Sequence, residues 1–201
     1  MAMELSKNRL VVYHNKDQLP TGFTASRLGL TDKADHSKRW IHHLSYPTSN
    51  SNSINGGIPD NYGTIPYSGT GVAIQGIQAM GRDSLLVKRD FDSALSHIPV
   101  SPMDSPLLGF HCEATCYRDS FLPFGLRIAA YLFNLCAEVF HWILEEKLKQ
   151  KGLRGSVKHY LDYFLMILPL HSIATTYTTG FADLCPKVSL CIKESTMKKE
   201  R

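Results

Sequence analysis

Apolar residues are spaced unevenly along this chain, and the change comes near residue 70. Before it they are scattered among charged and small polar residues, as in "TDKADHSKRWIHHLSYP" and "TSNSNSINGGIPDNYG". The Ser, Asn and Gly crowding of the second phrase disfavours regular structure, so the first third reads as loop-rich and basic. Beyond it the spacing becomes regular. "GVAIQGIQAMG" (71 to 81) repeats at helical intervals, and "DSLLVKRD" is a short apolar run ending in Asp90 that reads as a buried strand. "SPLLGFHCEAT" and "CYRDSF" are two further strands joined near Glu113 and Ala114. "LPFGLR" is a Pro/Gly turn opening a long helix from Leu126 to Lys149, with Ile128, Leu132, Leu135, Val139 and Ile143 on its apolar face. Closing lysines followed by Gly152 are what a helix C-terminus selects.

"SVKHYL" and "YFLMIL" are two apolar runs flanking Asp162, a pattern that predicts a hairpin with the aspartate at its tip. "HSIATTYTTGFADLC" then predicts a weaker helix and "KVSLCI" a last strand. This order of elements fits an α+β fold, an antiparallel sheet backed by helices.

Composition narrows the class. At 201 residues and 43% hydrophobic the chain can bury a sizeable core, which excludes a disordered protein. The formal charge is only +4, but Lys147, Lys149, Lys151, Arg154 and Lys158 cluster, as do Lys193, Lys198, Lys199 and Arg201. Such patches suit a polyanion, and equally the solvated end of a helix. Five cysteines, an odd number, argue for a reducing compartment, cytoplasmic or nuclear, rather than a secreted disulfide framework. Cys112/Cys116 and Cys185/Cys191 lack the spacing of a zinc knuckle and read as buried thiols; His42 and His43 add little to them. No signal peptide opens the chain, and Arg127, Asn134, Glu138 and His141 interrupt its longest apolar helix, so a soluble protein with no membrane partner is expected.

Two aspartates, Asp90 and Asp162, each end an apolar strand. If those strands are neighbours, their carboxylates are hard oxygen donors for Mg²⁺, and two such ions about 3.5 to 4 Å apart can activate a hydroxyl and stabilise a leaving pyrophosphate. Taken singly, a strand-end aspartate is more often a turn residue or a helix cap.

Four phrases in order raise the catalytic reading. "KRWIHHLSYP", "KRDFDSALSHIPV", "LPFGLRIAAYLFN" and "VKHYLDYFL" resemble the fingers phrase, the first metal-aspartate motif, the template-positioning motif and the Tyr-x-Asp-Asp hairpin of reverse transcriptases, above all those of fungal or DIRS-like retrotransposons. The resemblance covers residues 27 to 195. It implies a palm-like antiparallel sheet (85 to 195) backed by helices, a partial fingers region (27 to 84), an N-terminal segment (1 to 26) and a basic tail (196 to 201), without thumb or RNase H. It further implies RNA-directed DNA synthesis: nucleotidyl transfer from a dNTP to the primer 3′-hydroxyl of an RNA or DNA template-primer, with Mg²⁺ or Mn²⁺. By position Asp90 and Asp162 would be the catalytic metal ligands, helped by the backbone carbonyl of Phe91. Lys33 and Arg39 would face the triphosphate, Leu95 would sit at the sugar gate, and Gly125, in the nucleotide-binding set, would let backbone and template approach closely. Arginine can grip phosphate bidentately where lysine acts as a point charge.

Three residues depart from the family pattern. Tyr163 stands where the second hairpin aspartate belongs, putting a phenol in place of a carboxylate. If that ligand is worth about 4 kcal/mol of transition-state stabilisation, the rate falls about a thousandfold. Leu95 replaces an aromatic gate, and Ala130 replaces a proline that a helix dispenses with easily. Asp92 occupies a variable slot and is a poor substitute for the missing acid. The resemblance therefore implies an impaired or silenced polymerase fragment. Its rivals are a non-catalytic nucleic-acid-binding remnant of a retroelement, and a helical interaction protein in which Asp90 and Asp162 lie far apart.

Overall fold

The computed structural model describes residues 2–32, 36, 38–47, 52–67, 69–170, 174–188 and 190; Lys33, Cys191 and the C-terminal basic cluster lie outside them. In chain order the elements are α1 (Ala2–Ser6), β1 (Leu10–Tyr13), β2 (Ala25–Asp32), β3 (Lys38–His43), α2 (Thr70–Met80), β4 (Leu85–Asp90), β5 (Gly109–Cys112), β6 (Thr115–Asp119), α3 (Ala129–Gln150), β7 (Ser156–Tyr160), β8 (Tyr163–Leu168) and α4 (Ala174–Leu184). The chain forms two compact units, Met1–Gly63 with Leu95–Ala130, and Thr64–Ala94 with Tyr131–Arg201.

The first unit carries a five-stranded sheet in the order β1-β6-β5-β2-β3. Its pairings are antiparallel except for β2 and β5, which run parallel where Ala25 meets Gly109 and Ser26 meets Phe110. The first third is thus not loop-rich as its composition suggests. β2 and β3 pair from Arg27↔His43 to Asp32↔Lys38, yet most of their side chains are exposed. With neither face fully buried, nothing forces the apolar alternation by which a half-buried strand is recognised. The buried side chains of this unit include Leu44, Leu108, Phe110, Cys116 and Leu122. Phe110 stacks on Tyr117, its cross-strand partner, at 5.3 Å between ring centroids.

The second unit is built on the antiparallel sheet β4-β8-β7. Phe133 and Phe140 of α3, Phe164 of β8, Phe181 of α4 and Phe91, just past β4, are all buried and meet ring against ring. α2 sits so close to β8 that a Cβ on Gly76 would lie 2.6 Å from Ile167 Cδ1.

The helix α3 buries a different stripe from the expected one. Ala129, Phe133, Ala137, Phe140 and Leu144 are buried, whereas Leu135, Val139 and Trp142 are exposed, Trp142 by 64%. Both stripes have helical spacing, and the phenylalanine stripe is the one that completes the aromatic cluster. α3 ends as expected: Gly152 takes φ 63°, its N–H donates to the Lys149 carbonyl, and Leu153 N–H donates to that of Leu148. The last expected strand is corrected at its start. Cys185–Val188 is a 3-10 turn, with Leu190 N–H donating to the Cys185 carbonyl, because Pro186 has no N–H for a ladder and its fixed φ suits a helical turn. Among the described residues no helix is long and apolar enough to cross a membrane.

Candidate active site

β7 and β8 are joined by only two residues, Leu161 and Asp162, with Tyr160 and Tyr163 as the closing pair. Leu161 takes φ 52°, a left-handed conformation that a branched side chain rarely adopts. The hairpin is tied to the end of β4: Asp90 lies opposite Tyr163, and the Phe91 N–H donates to the Asp162 carbonyl over 3.2 Å. The backbones of the two aspartates therefore lie at the same end of adjacent strands, not far apart.

The surroundings of each residue follow from strand alternation. Asp90, only 8% exposed, shares its sheet face with Lys88 and Tyr163, whereas Arg89 and Phe91 belong to the opposite one. The Phe91 ring is packed against Phe133, Phe140, Phe164 and Phe181, so a ligand could meet only its backbone. Tyr163 is 40% exposed, and the Lys88 ammonium lies 4.0 Å from its ring centroid. Beside it, the exposed rings of Tyr160 and Tyr67 stack at 4.7 Å.

The other expected residues belong to the first unit. The Arg39 guanidinium on β3 lies over the ring of Phe124, 4.5 Å from its centroid. Gly125 follows, with φ 111°; a Cβ there would stand 1.9 Å from the His42 carbonyl oxygen, so the glycine lets the "LPFGL" turn press on β3. The same contact is sealed by the His42 N–H, which donates to the Phe124 carbonyl over 2.8 Å. Arg39 and Gly125 are thereby brought to one place. Leu95 is half-buried in the turn Ala94–His97.

Sequence reasoning missed Asn55, which organises this turn. Its Nδ2 donates to the Gly125 carbonyl and to Ser45 Oγ, both at 2.8 Å, and its Oδ1 accepts from the Arg127 N–H at 2.9 Å. The Arg127 guanidinium in turn pairs with Asp60 over 2.7 Å. Nearby in the same unit, His42 Nε2 stands 3.0 Å from Asp119 Oδ2. Burial pushes the Asp119 carboxyl above its ordinary value, with His42 opposing the shift and Glu4 adding to it.

No protein-family model matches the sequence, and no curated protein matches it. Solved structures do. A foamy viral protease-reverse transcriptase in complex with double-stranded DNA is similar at TM-score 0.71 and 11% identity, over 98% of this chain and 30% of that one. The native prototype foamy virus protease-reverse transcriptase is similar at TM-score 0.61 and 16% identity, over 98% of this chain and 23% of that one. Its CSH mutant is similar at TM-score 0.60 and 14% identity, over 94% and 22%. The likeness at such identities is one of fold: the chain has a palm-like, reverse transcriptase fold, and it spans less than a third of the length of these solved relatives.

Proposed function

We infer that this chain is a fragment of a reverse transcriptase of retrotransposon type, fungal or DIRS-like, whose chemistry is two-metal nucleotidyl transfer from a dNTP to a primer 3′-hydroxyl on an RNA or DNA template, impaired by Tyr163. The observation that carries this reading is the register that sets Asp90 beside the Asp162 hairpin on a reverse transcriptase fold. In this reading residues 27 to 84 serve as fingers and 85 to 195 as palm.

The donor set fits Mg²⁺ in part. Asp90, Asp162 and the Phe91 carbonyl are hard oxygen donors, enough to hold one ion. When bound, the metal pair of such a centre lowers the charge cost of attack and of pyrophosphate departure. Tyr163 withholds the carboxylate that a second ion needs, and the Lys88 ammonium over its ring adds a positive charge where a dication would have to come. Arg39 is the residue of this chain suited to grip the triphosphate, and the exposed Tyr67, Tyr160 and Tyr163 offer flat surfaces on which bases can stack. Lys33, outside the described residues, keeps its proposed role from the sequence pattern alone.

Mn²⁺ broadening of backbone amide resonances tests the metal site without requiring turnover. The reading expects selective broadening around Asp90 and Asp162, lost in Asp90→Asn. Uniform broadening over the surface, the same in both proteins, would remove the metal centre and leave a binding remnant.

A further inference from the structure

A second group of metal-ligating side chains lies on the other side of the same small sheet. Glu138 and His141 stand one turn apart on α3, and His159 projects from β7; one donor atom from each can be chosen so that all lie within 4.8 Å of one another. His159 is the cross-strand partner of Phe164 and stacks on its buried ring at 5.2 Å, so it points into the aromatic core. Asp90 and Tyr163 belong to the opposite face. We propose that Glu138, His141 and His159 form a binding site for Zn²⁺ that clamps α3 to β7.

The orientation of the rings carries the proposal. His141 Nε2 lies 2.9 Å from the Val157 carbonyl oxygen, so it holds the proton and donates there. That leaves the lone pair on Nδ1, which lies 3.0 Å from His159 Nδ1. A ring nitrogen turned to a backbone carbonyl while the other faces the ion is the usual support of a zinc-bound histidine. Two nitrogens each about 2.0–2.1 Å from one zinc stand roughly 3.3 Å apart at the tetrahedral angle, so a shift of a few tenths of an ångström admits the ion. Glu138 borders the same imidazole, with Oε1 3.6 Å from His159 Nε2, and belongs to the group whose donor atoms lie within 4.8 Å of one another. Glu145 Oε1, 3.4 Å from His141 Nε2, adds negative charge around the site.

Two imidazoles and one carboxylate with a fourth position left for water is a donor set that zinc favours, and one for which Mg²⁺ competes poorly.

Without metal the same geometry is a hydrogen bond from His159 Nδ1–H to His141 Nδ1, and the experiment must separate the two. Zn²⁺ titration by calorimetry on the full reduced chain is combined with Co²⁺ absorption. Expected are one Zn²⁺ per chain at micromolar affinity or tighter, Co²⁺ bands without thiolate charge transfer, and a melting temperature raised by Zn²⁺ but not by Mg²⁺. His141→Asn and Glu138→Gln each weaken binding by about tenfold or more and shrink the thermal shift. Glu138 is exposed, so Glu138→Gln leaves the fold intact and keeps the test decisive. Absence of binding, a thiolate band showing that cysteines hold the ion, or affinity unchanged in Glu138→Gln would each overturn the proposal.

Discussion

A methyl group on Gly125 has nowhere to go. The atom it would strike is the His42 carbonyl oxygen, part of a backbone already held by the Phe124 carbonyl, and φ 111° strains any other residue. Gly125→Ala is expected to cost about 3 kcal/mol or more in denaturant unfolding, and a loss under about 1 kcal/mol would show that the turn is free to move. Asp119 gives a second test at this scale. Its folded-state pKa is raised by burial, so its contribution is fully present below the ordinary aspartate value of 3.8 and is lost as pH rises through the folded value. The stability of the natural chain relative to Asp119→Asn should therefore improve as pH falls toward 3.8; a difference independent of pH would contradict the burial. Asp90 and Asp162 were visible in the sequence because each ends an apolar run. Asn55 was not, because its partners Gly125 and Arg127 lie 70 and 72 residues away and only the folded backbone brings them to it.

The hairpin, β4 and α3 act together through Phe91. Its ring locks the strand end into the aromatic cluster while its N–H holds the Asp162 carbonyl. Phe91→Ala is expected to lower the free energy protecting the β8 amides from hydrogen exchange by about 3–5 kcal/mol. An unchanged exchange pattern in β8 would mean that the hairpin is positioned by other contacts. The elements of the second unit were legible because α3 repeats apolar residues at helical spacing and β4, β7 and β8 are short apolar runs. β2 and β3 were not, since their stability comes from backbone pairing with partners on polar, exposed strands. The face of α3 was misjudged for a related reason. Leu135, Val139 and Trp142 have the spacing of a core stripe, and only the position of the neighbouring phenylalanines decides which stripe is buried.

Over the whole molecule, the chain shares a palm-like fold with reverse transcriptases, although the first third of its sequence looks irregular. The proposed function makes Tyr163 the residue that impairs the centre formed by Asp90 and Asp162. The most direct measurement is primer extension on an RNA template with Mg²⁺, comparing the natural chain, Tyr163→Asp and Asp90→Ala, each first shown to be folded. The account predicts that Tyr163→Asp extends the primer about a thousandfold faster than the natural chain, the gain expected from about 4 kcal/mol of recovered transition-state stabilisation, and that Asp90→Ala stays silent. Extension by Tyr163→Asp no faster than the natural chain, with template-primer bound equally by both, would contradict it.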